Sequence, residues 1–342
     1  MRVLCQIRPD FLDFPGAETT QLLGTKSHLE RFGVELEVST DYEADPSHFD
    51  LVHLYGTWSA APAYVQFKNA KSWGRPVLLS PFYWNPLDHG EWRPPDERDR
   101  LQAWWEVTSN LRREVLVEAD LLAPATRTEA DLIKRDFGVT PPIHVVPPGV
   151  DRLYQHGEAR RFIARHGQAD FILCVGRIEP QKNQLALIEA LAGTDLPLVF
   201  LGPPAEPEYF IACQRRADNA VFYPPLPPLE VADAYAAARV HAMLSWDETL
   251  AQPTLAAGLA GCNVVAPDRS VYREYLGDAA WYCDPADLRS IRQAVLAAWE
   301  APRSGALRTR LLDCTWERSA IETLRAYEAL LGSLRCPGAV EG

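Results

Sequence analysis

Short apolar runs alternate with longer segments of helical periodicity along the chain. In the first half, the runs that predict buried strands lie at residues 3–7, 51–54, 76–79 and 121–123. Between them lie longer segments such as 18–32 and 101–119, and in the second of these mainly apolar residues recur at helical spacing. The strand runs are nearly continuous in apolar residues, which is typical of parallel strands covered by helices on both faces.

The same pattern restarts after residue 170. The runs that predict a second set of strands lie at 171–175, 197–201, 220–223, 240–244 and 263–266. The sequence therefore predicts an α/β protein with two doubly wound parallel sheets in succession. Prolines at 147–151 can neither sit in a central strand nor continue a helix, so we place a first domain at 1–150 and a second at 151–315. A helix at 316–331 carries an apolar stripe that must be buried, and a loose tail follows at 332–342.

Composition and charge narrow the class of protein. The 342 residues are 47% hydrophobic and 23% charged, which is ordinary for a globular protein with two cores. With 34 basic and 46 acidic side chains, the net charge of −12 argues against a nucleic-acid partner, which requires clustered cations. No apolar stretch approaches the roughly 18 residues that span a bilayer, and without a basic amphipathic helix we expect at most weak peripheral membrane contact.

Seven cysteines are scattered singly along the chain, with no Cys-x-x-Cys pair. This arrangement predicts reduced thiols and neither a disulfide framework nor a zinc site. The first residues run directly into a predicted strand and show no signal-peptide pattern. We therefore expect a cytoplasmic protein.

The first candidate site follows the strand at 171–175. Arg177 and Lys182 leave its carboxyl end together with Gly176, whose missing side chain lets a ligand approach the backbone. Ligands of open α/β sheets bind beyond this edge. A planar guanidinium and a compact ammonium suit a diphosphate, whereas the alternative is a pair of solvated loop cations.

The second candidate site lies between a strand and a helix at 244–257. A turn carries Glu248, and a helix opens near Pro253, where exposed amides attract anions. A carboxylate in this place can also merely complement the helix dipole. A carboxylate that holds sugar hydroxyls beside a phosphate-binding helix end predicts a nucleotide-sugar pocket.

These residues, in this order, resemble the retaining glycosyltransferases of family 4. The segments that carry the resemblance cover nearly the whole chain: 15–23, 147–151, 176–177, 182–183, Glu248, 261–265, 273–275 and 316–318. The resemblance implies a GT-B fold, with two Rossmann-like domains facing a central cleft. It also implies that the helix at 316–331 returns to the N-terminal domain, which buries its apolar stripe.

The resemblance implies a role for each candidate residue. Arg177 and Lys182 neutralise the donor diphosphate, Glu248 holds hydroxyls of the transferred sugar, and the strand-end Gly176 lines the donor site. The donor-binding set implied in this way is completed by Gly16, Gln252, Pro253 and Thr254, the last three through amides that hold phosphate. The donor belongs to the second domain and the acceptor to the first.

The sequence departs from the family pattern in its Glu-x7-Glu motif. The second glutamate, which accepts hydrogen bonds from the nucleotide ribose, is replaced by Ala256. Loss of a charged hydrogen-bond partner costs about 1.5–3 kcal/mol. Nucleotide binding is therefore expected to be weaker than in relatives, unless Thr254 or Gln252 substitutes.

Metal binding and acceptor binding are less well marked. No Asp-x-Asp pair occurs, so we expect neither a metal nor any other cofactor, with arginine and lysine in the place of the metal. On the acceptor side, Tyr83 and Trp84 are candidates for stacking on a sugar or for partial burial in the core. His53 is a candidate acceptor-side residue or a structural histidine.

The sequence therefore predicts a metal-independent, retaining glycosyltransferase. It moves a sugar from a nucleotide-diphosphate sugar to a hydroxyl of a glycan, a lipid-linked sugar or a small metabolite. Two alternatives stay open. One is a degenerate relative that binds a sugar nucleotide or a partner without efficient turnover, and the other is a sugar-nucleotide epimerase, for which Glu248 is the one evident acid or base.

Overall fold

The computed structural model describes residues 1–90, 92–138 and 141–335 of the chain. The chain folds into two compact units. Unit 1 contains the residues up to Gly149 together with the chain from Cys314 onward, and unit 2 runs from Val150 to Asp313.

Unit 1 is built on a five-stranded parallel sheet. Its strands are β1 (Arg2–Gln6), β2 (Glu35–Ser39), β3 (Leu51–Tyr55), β4 (Val77–Ser80) and β5 (Leu121–Leu122). They lie in the order β2-β1-β3-β4-β5. Its helices are α1 (Ala17–Leu29), α2 (Ala60–Ser72), α3 (Pro95–Glu118), α4 (Arg127–Phe137) and, from the last part of the chain, α13 (Trp316–Arg335).

Apolar side chains from both faces of the unit 1 strands form its core. Every residue of β3 and β4 is buried, which agrees with the continuous apolar runs in the sequence. Strand β2 was missed by the sequence analysis. It is an edge strand in which buried Leu36 lies between exposed Glu35 and Glu37, so it lacks the continuous apolar run of a central strand.

Helix α13 packs on α1 in unit 1. The Trp316 ring fits against Gly24 and Gly149, where a Cβ atom at either glycine would overlap it. The Gln21 amide nitrogen donates to the Ser319 hydroxyl at 2.7 Å. The helix continues to Arg335, so the first four residues of the predicted loose tail are helical, and the rest of that tail, 336–342, lies outside the described residues.

Unit 2 is built on a six-stranded parallel sheet. Its strands are β6 (Ile172–Val175), β7 (Leu198–Leu201), β8 (Ala220–Tyr223), β9 (Val240–Ala242), β10 (Asn263–Pro267) and β11 (Trp281–Cys283). They lie in the order β11-β10-β9-β6-β7-β8. The helices of this unit are α5 (Ala159–His166), α6 (Gln184–Ala190), α7 (Pro207–Arg216), α8 (Pro228–Ala237), α9 (Gln252–Ala260), α10 (Ser270–Leu276), α11 (Leu288–Glu300) and α12 (Ala306–Arg310).

The two parallel sheets confirm the predicted α/β class. Each sheet has a position at which the chain changes the direction in which it adds strands. In unit 1 this switch point lies between β1 and β3, and in unit 2 it lies between β6 and β9. Loops that follow the two strands at a switch point diverge from one another, which opens a crevice at the carboxyl edge of the sheet.

Two further properties concern the described part of the chain. None of its helices combines the length and the apolar composition that a membrane span requires. Cys5, Cys174, Cys213, Cys262 and Cys283 are buried thiols, and burial raises the pKa of Cys5, Cys174, Cys262 and Cys283 to about 12.

Candidate functional site

The candidate residues of unit 2 meet at its switch point. Arg177 and Lys182 lie in the loop after β6, and Glu248 lies in the loop after β9. Because β6 and β9 are parallel neighbours, both loops leave the same edge of the sheet. The backbone N–H of Trp246 donates to the Gln181 carbonyl at 2.9 Å, which ties the two loops together.

Lys182 and Glu248 form an ion pair between these loops. Their side chains are only 13% and 12% exposed, so little water separates the charges. The Ser245 hydroxyl also donates to Oε1 of Glu248, at 3.1 Å. Burial, followed by the nearby Glu248 charge, raises the pKa of Tyr272 well above its usual value, so its phenol beside this pair is neutral. The site thus holds one carboxylate and one ammonium in a largely buried, hydrogen-bonded setting.

Arg177 extends from the same loop with its side chain 45% exposed. Its guanidinium binds both carboxylate oxygens of Glu179, with two distances of 3.0 Å. Gly176 has a φ of +154°, and a Cβ there would lie 3.3 Å from the Met243 side chain. The glycine therefore brings the backbone close to the β9 loop at the point where Arg177 begins.

Helix α9 begins at Gln252, directly after the Glu248 turn, and has Pro253 in its first turn. The expectation that amides from Gln252 to Thr254 hold phosphate needs correction at Pro253 and Thr254. Pro253 has no N–H, and the Thr254 N–H already donates to the Ala251 carbonyl at 2.9 Å. The Thr254 side chain is fully buried and its hydroxyl makes no hydrogen bond within the described residues. This hydroxyl is the remaining polar group that Thr254 can offer a ligand.

Gly16 of unit 1 caps the N-terminus of α1. A Cβ at this position would overlap the Glu18 carboxylate, which in turn pairs with Arg8 through a 2.8 Å contact between Nε and Oε1. Burial alone would lower the pKa of Arg8. The hydrogen bonds to Glu18 and Asp10 together outweigh burial, so the pKa of Arg8 is raised. The absence of a side chain at Gly16 thus leaves room for the Glu18 carboxylate that neutralises Arg8.

His53 lies inside unit 1 and is 2% exposed. Its Nδ1 lies 2.8 Å from the Tyr327 hydroxyl and its Nε2 lies 2.9 Å from the Ser80 hydroxyl. Burial lowers its pKa to about 3. Both ring nitrogens thus have partners within the fold. Of the two predictions for His53, the structural histidine agrees with this geometry and the acceptor-side residue is corrected.

Tyr83 is also a core residue. It is 3% exposed, and its hydroxyl donates to Asp136 at 2.6 Å. Burial, followed by this hydrogen bond, raises the pKa of Tyr83. Its prediction as an acceptor-stacking residue is therefore corrected, because the ring is enclosed by protein.

Trp84 is partly exposed and stacks on Trp58, with ring centroids 4.7 Å apart and planes 12° apart. Trp58, which is 41% exposed, and the buried Arg112 were not predicted as site residues. The available signal was position, since Trp58 follows strand β3 by three residues and so lies at the ligand-binding edge of the sheet.

Within the described residues, no group of three or more histidine, cysteine, aspartate or glutamate side chains is arranged to hold a metal ion. The charged groups at the unit 2 switch point include Arg177, Lys182, Glu179 and Glu248. The cations of this set can bind an anion, and its carboxylates can accept hydrogen bonds from hydroxyl groups of a ligand.

Known proteins resemble this chain in sequence and in fold. Residues 156–311, which include the unit 2 switch point, match the family described as glycosyl transferases group 1. Sucrose-phosphate synthase from Thermosynechococcus elongatus has a similar structure, with a TM-score of 0.81 and 14% identity over 97% of this chain and 100% of that one. Anabaena Alr3699/HepE in complex with UDP and glucose gives a TM-score of 0.70 and 16% identity over 96% and 99% of the two chains. The fold is therefore GT-B, as predicted.

Sequence relatives point to the same class. A D-inositol 3-phosphate glycosyltransferase from Geodermatophilus obscurus is 29% identical over 317 residues, which cover 83% of this chain and 67% of that protein. Its counterpart from Acidothermus cellulolyticus is 32% identical over 182 residues, or 45% of this chain and 41% of that protein. Among such relatives the matched segments span 40–68% of the relative's own length. Together the matches support a glycosyltransferase enzyme.

Proposed function

We propose that the protein transfers a sugar from a nucleotide-diphosphate sugar to a hydroxyl acceptor, with retention of anomeric configuration and without a metal ion, as a member of family 4. The donor binds unit 2, which runs from Val150 to Asp313, and the acceptor binds unit 1. Free cysteines that are buried fit a reducing compartment, and the cytoplasm is part of the proposal.

The observation that carries this proposal is the Lys182–Glu248 ion pair, with Arg177 beside it, at the switch point of unit 2. Two cations and a buried carboxylate stand where open α/β sheets bind ligands. Arg177, on the same loop as Lys182, pairs with Glu179 but is nearly half exposed, so its guanidinium is open to a ligand anion. A diphosphate linked to a sugar satisfies both charges, because its phosphates bind the cations and its sugar hydroxyls donate to the carboxylate.

The chemistry follows from these charges. The bond between C1 of the sugar and the diphosphate oxygen breaks, and negative charge develops on the departing diphosphate. Arg177 and Lys182 stabilise this charge in a largely buried setting, where electrostatic effects are strong. The acceptor hydroxyl attacks C1 from the same face and its proton passes to a departing phosphate oxygen, so configuration is retained. Glu248, held by Ser245, orients the sugar.

The acceptor is a hydroxyl of a glycan, a lipid-linked sugar or a small metabolite. The similar proteins are named for inositol phosphate and for sucrose phosphate, which are small polyhydroxylated acceptors or products. We propose that this chain takes an acceptor of that general kind, bound at the carboxyl edge of the unit 1 sheet.

Ala256 favours one second candidate function, a degenerate relative that binds a sugar nucleotide without efficient turnover. Ala256 is buried in α9, two residues after the Thr254 hydroxyl. We propose that this hydroxyl takes over part of the lost glutamate's role toward the nucleotide. If it does not, binding is weak and turnover is slow.

Calorimetric titration with UDP, GDP and ADP tests the donor site. We expect one diphosphate to bind, and we expect Arg177→Ala and Lys182→Met each to weaken that binding by about tenfold or more. Arg215→Ala is the matched control, because Arg215 is exposed near the end of α7, on the opposite edge of the sheet. Equal binding by all variants would remove the two cations from the donor site.

Turnover separates the two candidate functions. With a nucleotide-sugar of the base found by titration, we expect wild-type protein to release the diphosphate, and Glu248→Gln to slow release by about a hundredfold or more. Glutamine keeps the shape and a hydrogen-bond acceptor, so thermal unfolding checks that the fold survives. Tight nucleotide binding without release over hours, with any acceptor offered, identifies the degenerate relative.

A further inference from the structure

We propose that Trp58 and Trp84 form a binding platform for a six-membered polyhydroxylated ring, the chair of a pyranose or of a cyclitol, in unit 1. We call this pair the tryptophan platform. The inference rests on the proposed glycosyltransferase function and names the chemical class of its acceptor. It is argued from the position, the exposure and the support of the two indoles.

The position of the platform is that of a ligand site. Trp58 follows β3, which borders the switch point of unit 1, and Trp84 follows the neighbouring strand β4. The loops after these strands are joined at their bases, since the Gly56 N–H donates to the Ser80 carbonyl at 2.8 Å and the Thr57 N–H donates to the Pro81 carbonyl at 3.0 Å. Both indoles therefore start from a rigid part of the sheet edge.

The two rings are nearly parallel and in contact, at 4.7 Å between centroids, and Trp104 packs against Trp58 at 5.0 Å with a tilt of 49°. Despite these neighbours, 41% of Trp58 is exposed. Within the described part of the chain, the indole N–H groups of Trp58 and Trp84 make no hydrogen bond. A tryptophan held by aromatic contacts but left open to solvent is typical of a contact surface and not of a core.

A buried arginine, Arg112, holds the loop that carries Trp58. Arg112 of α3 is 1% exposed, and its guanidinium lies 3.8 Å from the Trp105 ring centroid. Its Nε donates to the Thr57 carbonyl at 3.2 Å, directly before Trp58. Among the described residues no carboxylate pairs with Arg112, and its Nη1 has no hydrogen-bond partner. Burial lowers the pKa of Arg112 to about 10, so it stays charged at neutral pH.

A buried arginine without an anionic partner is costly for the fold, and the cation–π contact offsets only part of that cost. The arrangement is understandable if the arginine fixes the loop that carries Trp58. The residue is thus a positioning residue for the platform.

The chemistry of the platform fits a polyol ring. The axial C–H groups of a chair carry partial positive charge and pack on the negative face of an indole, while the ring hydroxyls accept from indole N–H groups. A flat hydrocarbon ligand would use the faces but leave the N–H donors unsatisfied. The platform therefore orients a ring so that one of its hydroxyls serves as the acceptor.

Saturation-transfer NMR on the full chain tests this inference, with methyl α-D-glucopyranoside and myo-inositol as separate probes. We expect transfer to the ring C–H protons of one or both probes, and the stronger binder identifies pyranose or cyclitol as the source of the ring. Trp58→Ala is expected to weaken binding by about tenfold, and Trp58→Phe by about threefold, because phenylalanine keeps a ring face without the N–H.

Trp73→Ala is the matched control. Trp73 is an exposed tryptophan of unit 1, but it ends α2 directly before β4 and so lies at the opposite edge of the sheet. Its binding of the probes should equal that of the wild type. If Trp58→Ala does not fold, the Trp58→Phe measurement still decides the outcome.

Two results would overturn the inference. One is unchanged probe binding in a folded Trp58 variant, and the other is the absence of transfer to either probe in wild-type protein that binds a nucleoside diphosphate. The second result leaves the proposed glycosyltransferase function standing, since the donor site is then intact. Absence of both nucleotide and ring binding would defeat both proposals.

Discussion

The two switch points of the molecule use the same strand architecture for different chemistry. In unit 2 the loops after the central strands carry a buried lysine–glutamate pair and an arginine. In unit 1 the corresponding edge carries stacked indoles, while Arg8 at the end of β1 is neutralised by Glu18. Charge at one edge and aromatic surface at the other are suited to different ligands, a diphosphate and a neutral ring.

The comparison also shows how each edge is held in place. The unit 2 loops are joined directly to each other, by the bond between Trp246 and Gln181 and by the ion pair. In unit 1, the loop that carries Trp58 is held by a buried arginine that reaches it from helix α3. Both edges thus have backbone hydrogen bonds between neighbouring loops, and they differ in the side chains that add to them, an ion pair in unit 2 and a buried arginine in unit 1.

Glycine substitutions at the two edges give the largest expected contrast. Gly202 follows β7 with a φ of +150°, and a Cβ there would overlap the Gly176 carbonyl, next to Arg177. We expect Gly202→Ala to lower the free energy of unfolding of unit 2 by about 3 kcal/mol and to weaken nucleotide binding. Urea unfolding and calorimetric titration of the full chain measure the two effects.

Gly56 is the counterpart in unit 1. It has a φ of +87°, but a Cβ there would meet only the Glu18 side chain, at 3.7 Å. Gly56→Ala is expected to cost about 1 kcal/mol through backbone strain alone and to leave nucleotide affinity unchanged. Equal losses for the two variants would show that close approach is no more important in unit 2 than in unit 1.

A smaller change isolates the buried hydroxyl at the start of α9. Thr254→Val removes the hydroxyl and keeps the shape of the side chain. Because the hydroxyl makes no hydrogen bond in the described structure, we expect the melting temperature to stay or rise, while nucleotide affinity falls by about tenfold. Calorimetric titration and thermal unfolding measure the pair of outcomes. Unchanged affinity would mean that Thr254 does not compensate for Ala256.

The last prediction concerns pH and the buried histidine of unit 1. The pKa of His53 is lowered to about 3, so the folded chain keeps it neutral while the unfolded chain binds a proton below pH 6.5. The contribution of His53 to stability is full above pH 6.5 and is lost as the pH falls toward 3, with a slope of at most about 1.4 kcal/mol per pH unit.

The measurement is urea unfolding of wild type and His53→Gln between pH 7 and pH 5. We expect the wild type to lose more stability over this range than the variant does. His241 in unit 2 also has its pKa lowered to about 3 by burial, so His241→Gln provides the same measurement for the other unit. A difference between wild type and variant that does not change with pH would contradict the assigned cause.

The sequence was informative where one local pattern decides the outcome. Continuous apolar runs predicted the central strands, and the residues that follow two of these runs predicted the charged edge of unit 2. The ion pair between Lys182 and Glu248 could not be predicted from the sequence. The two residues lie 66 positions apart, and their contact depends on the pairing of β6 with β9.

Burial of polar aromatic groups was the other limit. Tyr83 lies after the end of β4 and His53 lies in the middle of β3, and their polar atoms are used by Asp136, Tyr327 and Ser80. Such partners come from distant segments, and α13 contributes one of them. Position along a strand therefore did not predict which aromatic residues face solvent.

The return of α13 to unit 1 also has a consequence for biosynthesis. The ribosome releases the first 149 residues well before it synthesises α13. This helix supplies the Trp316 ring that packs on Gly24 and Gly149, and the Tyr327 hydroxyl that contacts His53. At translation rates of about 5–20 residues per second, the intervening unit takes roughly ten to thirty seconds to emerge. During that interval we expect unit 1 to lack α13, so that its α1 surface is exposed to chaperones. Unit 2 is then expected to complete its folding before unit 1 does.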